Sequence, residues 1–246
     1  MRRFKTILIS CRQELTNSCQ SFRHGLLLAL GAGLRYLRRM SIQSYFPSSV
    51  YQASLRLSKA SIQEQNRELL DEVFKIRDID EKGQKWSKSH YPGGYTSYAS
   101  MDRLHKFSTT FEILQKKIDV EVQKFARHLE MDLQGRKLVM TSLWANIMQT
   151  QVVHSMHIHP LSVISGTYYV QTPKNSSALK LEDPRLVAFM ASAPRKATAR
   201  AENQRFISLQ PKAGEIILFE SWMRHEVPPN QSSTERVSLS FNYDWI

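Results

Sequence analysis

Three histidines fall within one short run, His154-Ser-Met-His157-Ile-His159-Pro160. Imidazole is a good ligand for iron, copper, nickel or zinc. Residues two apart on an extended chain share a face. His157 and His159 are therefore placed to aim two ring nitrogens at one point, whereas His154 needs a different backbone path. Taken alone, the run also reads as a surface turn that contains histidines. A further imidazole, His225, follows the turn-and-strand run Pro211-Lys-Ala-Gly214-Glu-Ile-Ile-Leu-Phe219. A third imidazole from a distant strand end is what a facial metal site needs, with its other positions open. Next comes Arg236-Val-Ser-Leu-Ser-Phe-Asn242, with period two: Val237, Leu239 and Phe241 on one face, Arg236, Ser238, Ser240 and Asn242 on the other. A guanidinium on the inner face of a core strand is costly unless an anion pairs with it. Its planar fork suits a carboxylate, and Ser238 can add a hydrogen bond. The competing readings of Arg236 are an internal ion pair with Glu182, Asp183 or Glu226, and an edge strand whose polar face meets water.

Positioning such residues takes strands. The runs 138–148, 162–171, 178–182, 205–209, 215–219 and 236–245 are short and rich in β-formers. Turn signals separate them: Pro160, Pro173 with Asn175, Pro184, Pro211 with Gly214, and Pro228-Pro229-Asn230. This spacing predicts a sandwich or barrel-like jelly roll, mainly β. No glycine-rich phosphate loop follows a strand, so a dinucleotide or P-loop fold has no support. Upstream, apolar residues at helical spacing predict helices over 58–79 and 109–130. The stretch 82–101, with Pro92-Gly93-Gly94, reads as loop or irregular strand.

The composition sets the frame. The 246 residues carry 34 Lys and Arg against 22 Asp and Glu, a formal +12. Residues 1–39 hold eight of those bases and one acid, so they supply +7 and leave +5 for the rest. Both cysteines, Cys11 and Cys19, lie in that leader, so the body cannot rest on a disulfide, a zinc–thiolate site or a thiol nucleophile. The leader reads as a targeting segment or as the product of a start upstream of Met40, and it is left out of the fold. No run of about 18 apolar residues exists, so stable membrane insertion is not expected. The body shows no basic helix or aromatic platform, so no nucleic-acid partner is expected either. A cytoplasmic location is the expectation.

Several runs together resemble a known family. They are Gly93-Gly94-Tyr95-Thr96-Ser97, Trp144-Ala-Asn146, His157-x-His159-Pro-Leu-Ser-Val-Ile-Ser165-Gly166-Thr-Tyr168-Tyr169, Leu181-Glu-Asp183-Pro184-Arg185, and the tail from Pro211 through Trp222-x-x-His225 to Glu235-Arg236-x-Ser238-x-Ser-Phe241-Asn242. In this order they are similar to the bacterial and phage 2-oxoglutarate/Fe(II) oxygenases, over residues 40–246. The resemblance implies a double-stranded β-helix, the cupin-like jelly roll, with flanking α-helices. It divides the body into helical and loop support (40–137) and jelly-roll core (138–246). It implies Fe(II) at His157, His159 and His225, and 2-oxoglutarate and O2 as cosubstrates. Arg236 and Ser238 take the place that grips the distal carboxylate, and Asn146, Tyr168 and Tyr169 become pocket-lining candidates. Strand alternation lets only one of the two tyrosines face inward. One departure stands out: His159 occupies the place where the wider superfamily has a carboxylate. The ligand set is then three imidazoles, or Asp183 or Glu182 supplies an oxygen. A three-histidine site also keeps open a cupin-type metal dioxygenase that does not use 2-oxoglutarate. The implied activity is hydroxylation with release of succinate and CO2; the substrate is not specified.

Overall fold

The computed structural model describes residues 42–55 and 59–246, without the side chains of 59–61. The expectations for the basic leader, 1–39, lie outside the described residues.

Helix α1 (Lys59–Ile79) buries Leu69, Val73 and Ile76, and α3 (Thr109–His128) buries Phe111, Leu114, Ile118, Val122 and Phe125. Those intervals of three and four residues make one stripe on each helix. Burying one such side chain fully contributes about 1.5–3 kcal/mol. Ser108 caps α3, its side chain accepting from the Phe111 N–H. Both helices fall where the apolar spacing predicts them. A helix also forms where loop or irregular strand is expected: α2 (Glu81–His90). Its cause is Asp80, whose buried carboxylate accepts from the Gly83 N–H, the Tyr95 hydroxyl and the Ser100 hydroxyl. Gly83 is required there, because a Cβ would come 2.0 Å from an Asp80 carboxylate oxygen.

Among the described residues, ten strands form two sheets with antiparallel strand pairing. The larger has the order β1-β8-β5-β10-β3-β2, and the smaller β4-β9-β6-β7. In chain order the strands are β1 (Val50–Ser54), β2 (Gly94–Thr96), β3 (Leu138–Met148), β4 (His154–His157), β5 (Ile164–Gln171), β6 (Leu179–Glu182), β7 (Phe206–Leu209), β8 (Glu215–Glu220), β9 (His225–Val227) and β10 (Arg236–Trp245). This is the double-stranded β-helix, mainly β with helices outside. The two outer strands of the large sheet, β1 and β2, come from the region before residue 138.

The large sheet separates two cores by simple alternation. On one face Val237, Leu239, Phe241 and Tyr243 of β10, with Leu143, Ala145 and Ile147 of β3, pack under α1 and α3. On the other, Met148, Tyr169, Ile217 and Phe219 meet Leu179, Leu181 and Val227 of the small sheet. Arg236, Ser238 and the candidate histidines border the pocket on this second face. Among the described residues no helix is long and apolar enough to cross a membrane.

Candidate metal centre

His157 and His225 stand directly opposite each other across the β4–β9 pair, with ring centroids 4.2 Å apart. His159 lies just beyond β4, and its backbone N–H donates to the Ser221 carbonyl at 3.0 Å, on the turn that leads to His225. The two-residue spacing of His157 and His159 thus brings both rings to His225, with centroids 5.2 Å apart in the pair and 5.0 Å between His159 and His225. His154 also turns inward, because the β4–β9 register shifts between His154 and His157. Its ring stacks on His157 at 4.7 Å. Without that irregularity residues three apart would point to opposite faces.

Each ligand ring is oriented from behind. Nδ1 of His157 meets the Ser155 carbonyl at 2.7 Å, Nδ1 of His159 meets Asn242 Oδ1 at 2.7 Å, and Nδ1 of His225 meets the Met223 carbonyl at 2.9 Å. These acceptors assign the proton to Nδ1 and the lone pair to Nε2. Nε2 of His159 and Nε2 of His225 are then 3.2 Å apart with no proton between them. One ligand nitrogen from each ring lies within 4.8 Å of the other two. Desolvation by burial holds all three rings below the ordinary imidazole value and therefore neutral, with His159 lowered to about 4. Three converging neutral nitrogen donors suit a borderline divalent metal. Metal–nitrogen bonds of about 2.0–2.1 Å at a right angle place two nitrogens roughly 3 Å apart, so the observed separation fits.

The carboxylate alternatives are occupied elsewhere. Glu182 binds Arg224 at 2.8 Å and Arg205 at 3.2 Å, Asp183 binds Arg185 at 2.6 Å, and Glu226 binds Lys180 at 2.8 Å. Each of these acids is paired with a base other than Arg236, and among the described residues the group placed to hold a metal is His157, His159 and His225.

Arg236 lies in the same pocket, 2% exposed. Its contacts are weak for a buried cation: Nη1 reaches Met148 Sδ and Ser238 Oγ, each at 3.4 Å, and the guanidinium lies 5.1 Å from the Tyr169 ring centroid. Its Nε has no hydrogen-bond partner. The pocket running between this group and the histidines is lined by Trp144, Asn146, Met148, Thr167, Leu179 and Val227, among others. Asn146 is fixed at both ends of its amide: Oδ1 accepts from Thr96 Oγ1 at 2.9 Å, and Nδ2 donates to Ser240 Oγ at 3.1 Å.

The two tyrosines separate as alternation requires. Tyr169 faces the inter-sheet core beside Arg236, its hydroxyl buried and unpartnered. Tyr168 does not belong to the pocket. It faces the helices, and its hydroxyl donates to Asn66 Oδ1 of α1. Three contributors escape sequence reasoning. Asn242 is legible as an inner-face residue of β10, but its bond to His159 is not. Trp144, with its ring 5.8 Å from His159, stands out in the sequence only as part of a motif. Tyr91, whose ring lies 5.4 Å from His154, leaves no signal in spacing at all.

Known proteins are similar to this chain in sequence over part of its length and in fold. Residues 142–242 match the family model described as "Putative 2OG-Fe(II) oxygenase". No curated protein sequence matches the chain. Among solved structures, the non-heme alpha ketoglutarate dependent epimerase SnoN from nogalamycin biosynthesis is similar at TM-score 0.57 and 13% identity, over 80% of this chain and 76% of that one. A Pseudomonas putida prolyl-4-hydroxylase is similar at TM-score 0.52 and 14% identity, over 80% and 92%. HygX from Streptomyces hygroscopicus, with nickel, 2-oxoglutarate and hygromycin B bound, is similar at TM-score 0.53 and 12% identity, over 80% and 83%. At such identities these structures establish the shared fold.

Proposed function

We propose that the chain acts as the family of its residues 142–242 does, as a 2-oxoglutarate/Fe(II) oxygenase, with His157, His159 and His225 holding the metal and Arg236 the far carboxylate of 2-oxoglutarate. One observation carries the assignment: a single pocket has three converging neutral imidazoles at one end and, at the other, a buried guanidinium that no carboxylate of the described residues pairs with. A dicarboxylate bound to metal at one end and to Arg236 at the other satisfies both. When bound, Fe(II) with 2-oxoglutarate and O2 supplies an oxidant able to attack a C–H bond, 2-oxoglutarate leaving as succinate and CO2.

The chain's own residues bind, orient and exclude water. The three bonds at Nδ1 keep each Nε2 lone pair directed inward. Arg236 and Ser238 set the direction in which a dicarboxylate lies. Met148, Leu179 and Val227 give the pocket an apolar lining that keeps water out. Asn146, held by Thr96 and Ser240, forms an immobile wall between the two ends. The reaction we assign is hydroxylation of a substrate held at the open side of the histidines. Residues 48–137 serve as the support of this site, and β2 within them fixes Asn146. The reading as a metal dioxygenase without 2-oxoglutarate requires Arg236 to be paired internally, and the three acids that would do so are bound to other bases.

Anaerobic titration of the full-length protein with Fe(II) and then 2-oxoglutarate tests the proposal. A weak visible charge-transfer band is expected with the second addition. Its absence from folded, iron-loaded protein would overturn the cosubstrate assignment.

A further inference from the structure

The inter-sheet core behind the pocket holds a buried donor from outside the segment 142–242. Tyr91 lies upstream of that segment, between α2 and β2. Its ring is 5% exposed and packs with Met148, Val152, Tyr169 and Leu179. Its hydroxyl is buried and has no hydrogen-bond partner. Two neighbours share that condition, the Tyr169 hydroxyl and Nε of Arg236. The Arg236 charge acts on both tyrosine hydroxyls, although desolvation is the larger influence and raises both. Buried donors are rarely left without acceptors, and here two tyrosine hydroxyls lie under the influence of a guanidinium whose own Nε lacks one. All three can give a proton, and the group they lack is an acceptor. A carboxylate has about four acceptor sites on two oxygens, enough for a guanidinium and two hydroxyls together.

The local sequence explains why this tyrosine is held in place. Tyr91-Pro92-Gly93-Gly94 closes a turn in which the Gly94 N–H donates to the Tyr91 carbonyl at 3.0 Å. Proline at the second position and a glycine with φ +79° at the third are the signature of a type II turn. Gly94 is needed for a second reason: a Cβ there would come 2.5 Å from Cε1 and 2.7 Å from Cδ1 of the Tyr91 ring. The ring can lie against the β2 backbone only because position 94 has no side chain. The Tyr91 N–H donates to the Ser87 carbonyl at 2.8 Å, which ties the turn to the end of α2.

We infer that Tyr91 is a cosubstrate-binding residue, its hydroxyl donating to the distal carboxylate of 2-oxoglutarate alongside Arg236 and Tyr169, an inference that rests on the reading of the pocket proposed above. The support region then completes the cosubstrate site as well as packing beneath it.

The test compares two ligands on full-length protein loaded anaerobically with Fe(II), by calorimetric titration. One is 2-oxoglutarate. The other is 2-oxopentanoate, with the same metal-binding head and no distal carboxylate. Tyr91→Phe removes only the hydroxyl and keeps the ring packing. The variant should bind 2-oxoglutarate about ten- to a hundredfold more weakly, the worth of one buried hydrogen bond to a charged group, and bind 2-oxopentanoate as the wild type does. Gly94→Ala, which displaces the ring, should weaken 2-oxoglutarate in the same selective way. Unchanged 2-oxoglutarate affinity in Tyr91→Phe overturns the inference, and so does an equal loss for both ligands, which marks packing alone. Failure of the wild type to bind 2-oxoglutarate would bring down the cosubstrate assignment itself, and is seen before any variant is compared.

Discussion

Replacing Arg236 with methionine separates a guanidinium kept for a ligand from one kept for the fold. In the structure its polar contacts are two long bonds of 3.4 Å and a position 5.1 Å from the Tyr169 ring centroid. A desolvated cation–π contact contributes about 2 kcal/mol. Against this stand an unpartnered buried N–H, which costs about 1–3 kcal/mol, and desolvation of the ion, which costs several kcal/mol more. Without ligand the balance goes against the arginine. Methionine has a similar length, and Met148 and Leu179 offer it apolar neighbours. Urea denaturation of metal-free Arg236→Met should therefore show stability equal to the wild type or higher by about 1 kcal/mol. By contrast, removing one partner of a true buried ion pair costs about 3–5 kcal/mol. Repeating the measurement anaerobically with Fe(II), and 2-oxoglutarate at a hundred times its wild-type Kd, should add about 2.7 kcal/mol to the wild type and nothing to the variant. A variant destabilised by about 3 kcal/mol or more that still gains stability from 2-oxoglutarate would refute this reasoning, because Arg236 would then belong to the fold.

Three further outcomes follow from particular contacts. Asn242→Leu removes the acceptor behind His159 Nδ1; metal affinity, read by competition with a chelator, should fall about ten- to a hundredfold. Tyr168→Phe breaks the bond to Asn66 and should lower unfolding stability by about 1 kcal/mol, with the Kd for 2-oxoglutarate unchanged. Asp119 accepts from the Tyr243 hydroxyl at 2.5 Å, and burial raises its pKa while that bond partly lowers it. The folded state therefore holds the Asp119 proton more tightly than the unfolded chain does. That contribution is present at low pH and is lost as pH rises through the raised value. Asp119→Asn cannot titrate, so its stability relative to wild type, from denaturation midpoints, should improve as pH rises from about 4 to neutrality.

The legible parts of the fold are those with long periodic runs. Strands β3 and β10, eleven and ten residues long, are long enough for both boundaries to be read from their β-forming residues and the turn signals between strands. The apolar stripe of α3 is legible as well. Alternation along β10 is by itself enough to put Arg236 and Ser238 on the inner face. Helix α2 is hidden because its stability is tertiary: Asp80 gathers Gly83, Tyr95 and Ser100 around one carboxylate, and local propensity does not record such a cluster. Strands β4 and β9 are hidden for another reason. They have four and three residues and exist by pairing with each other and with β6 across long stretches of chain. His154 points inward only through an irregularity in that pairing. Tyr91 owes its position to a turn and a glycine contact, neither of which marks a ligand-binding residue in a sequence.

The histidine at position 159 is intelligible once the two sheets are considered together. His157 and His225 belong to the small sheet and face each other across one strand pair. Nδ1 of His159 is tied to Asn242 on the large sheet. Asn242 Oδ1 also accepts from Ser165 Oγ at 2.8 Å, and Ser165 Oγ lies 2.7 Å from Ser221 Oγ, on the turn that leads back to His225. The amide is thereby committed to presenting its oxygen toward residue 159. An imidazole N–H satisfies that oxygen, whereas an ionised carboxylate at the same place would bring two acceptors together. The neutral ligand and its amide partner form one unit, so the departure at position 159 carries a matching residue 83 positions later. A metal bound by all three rings links the small sheet to the large one at the mouth of the barrel. On the function proposed above, binding there would stabilise the arrangement that makes the site and would leave the ferrous charge to be offset by a dicarboxylate held at Arg236.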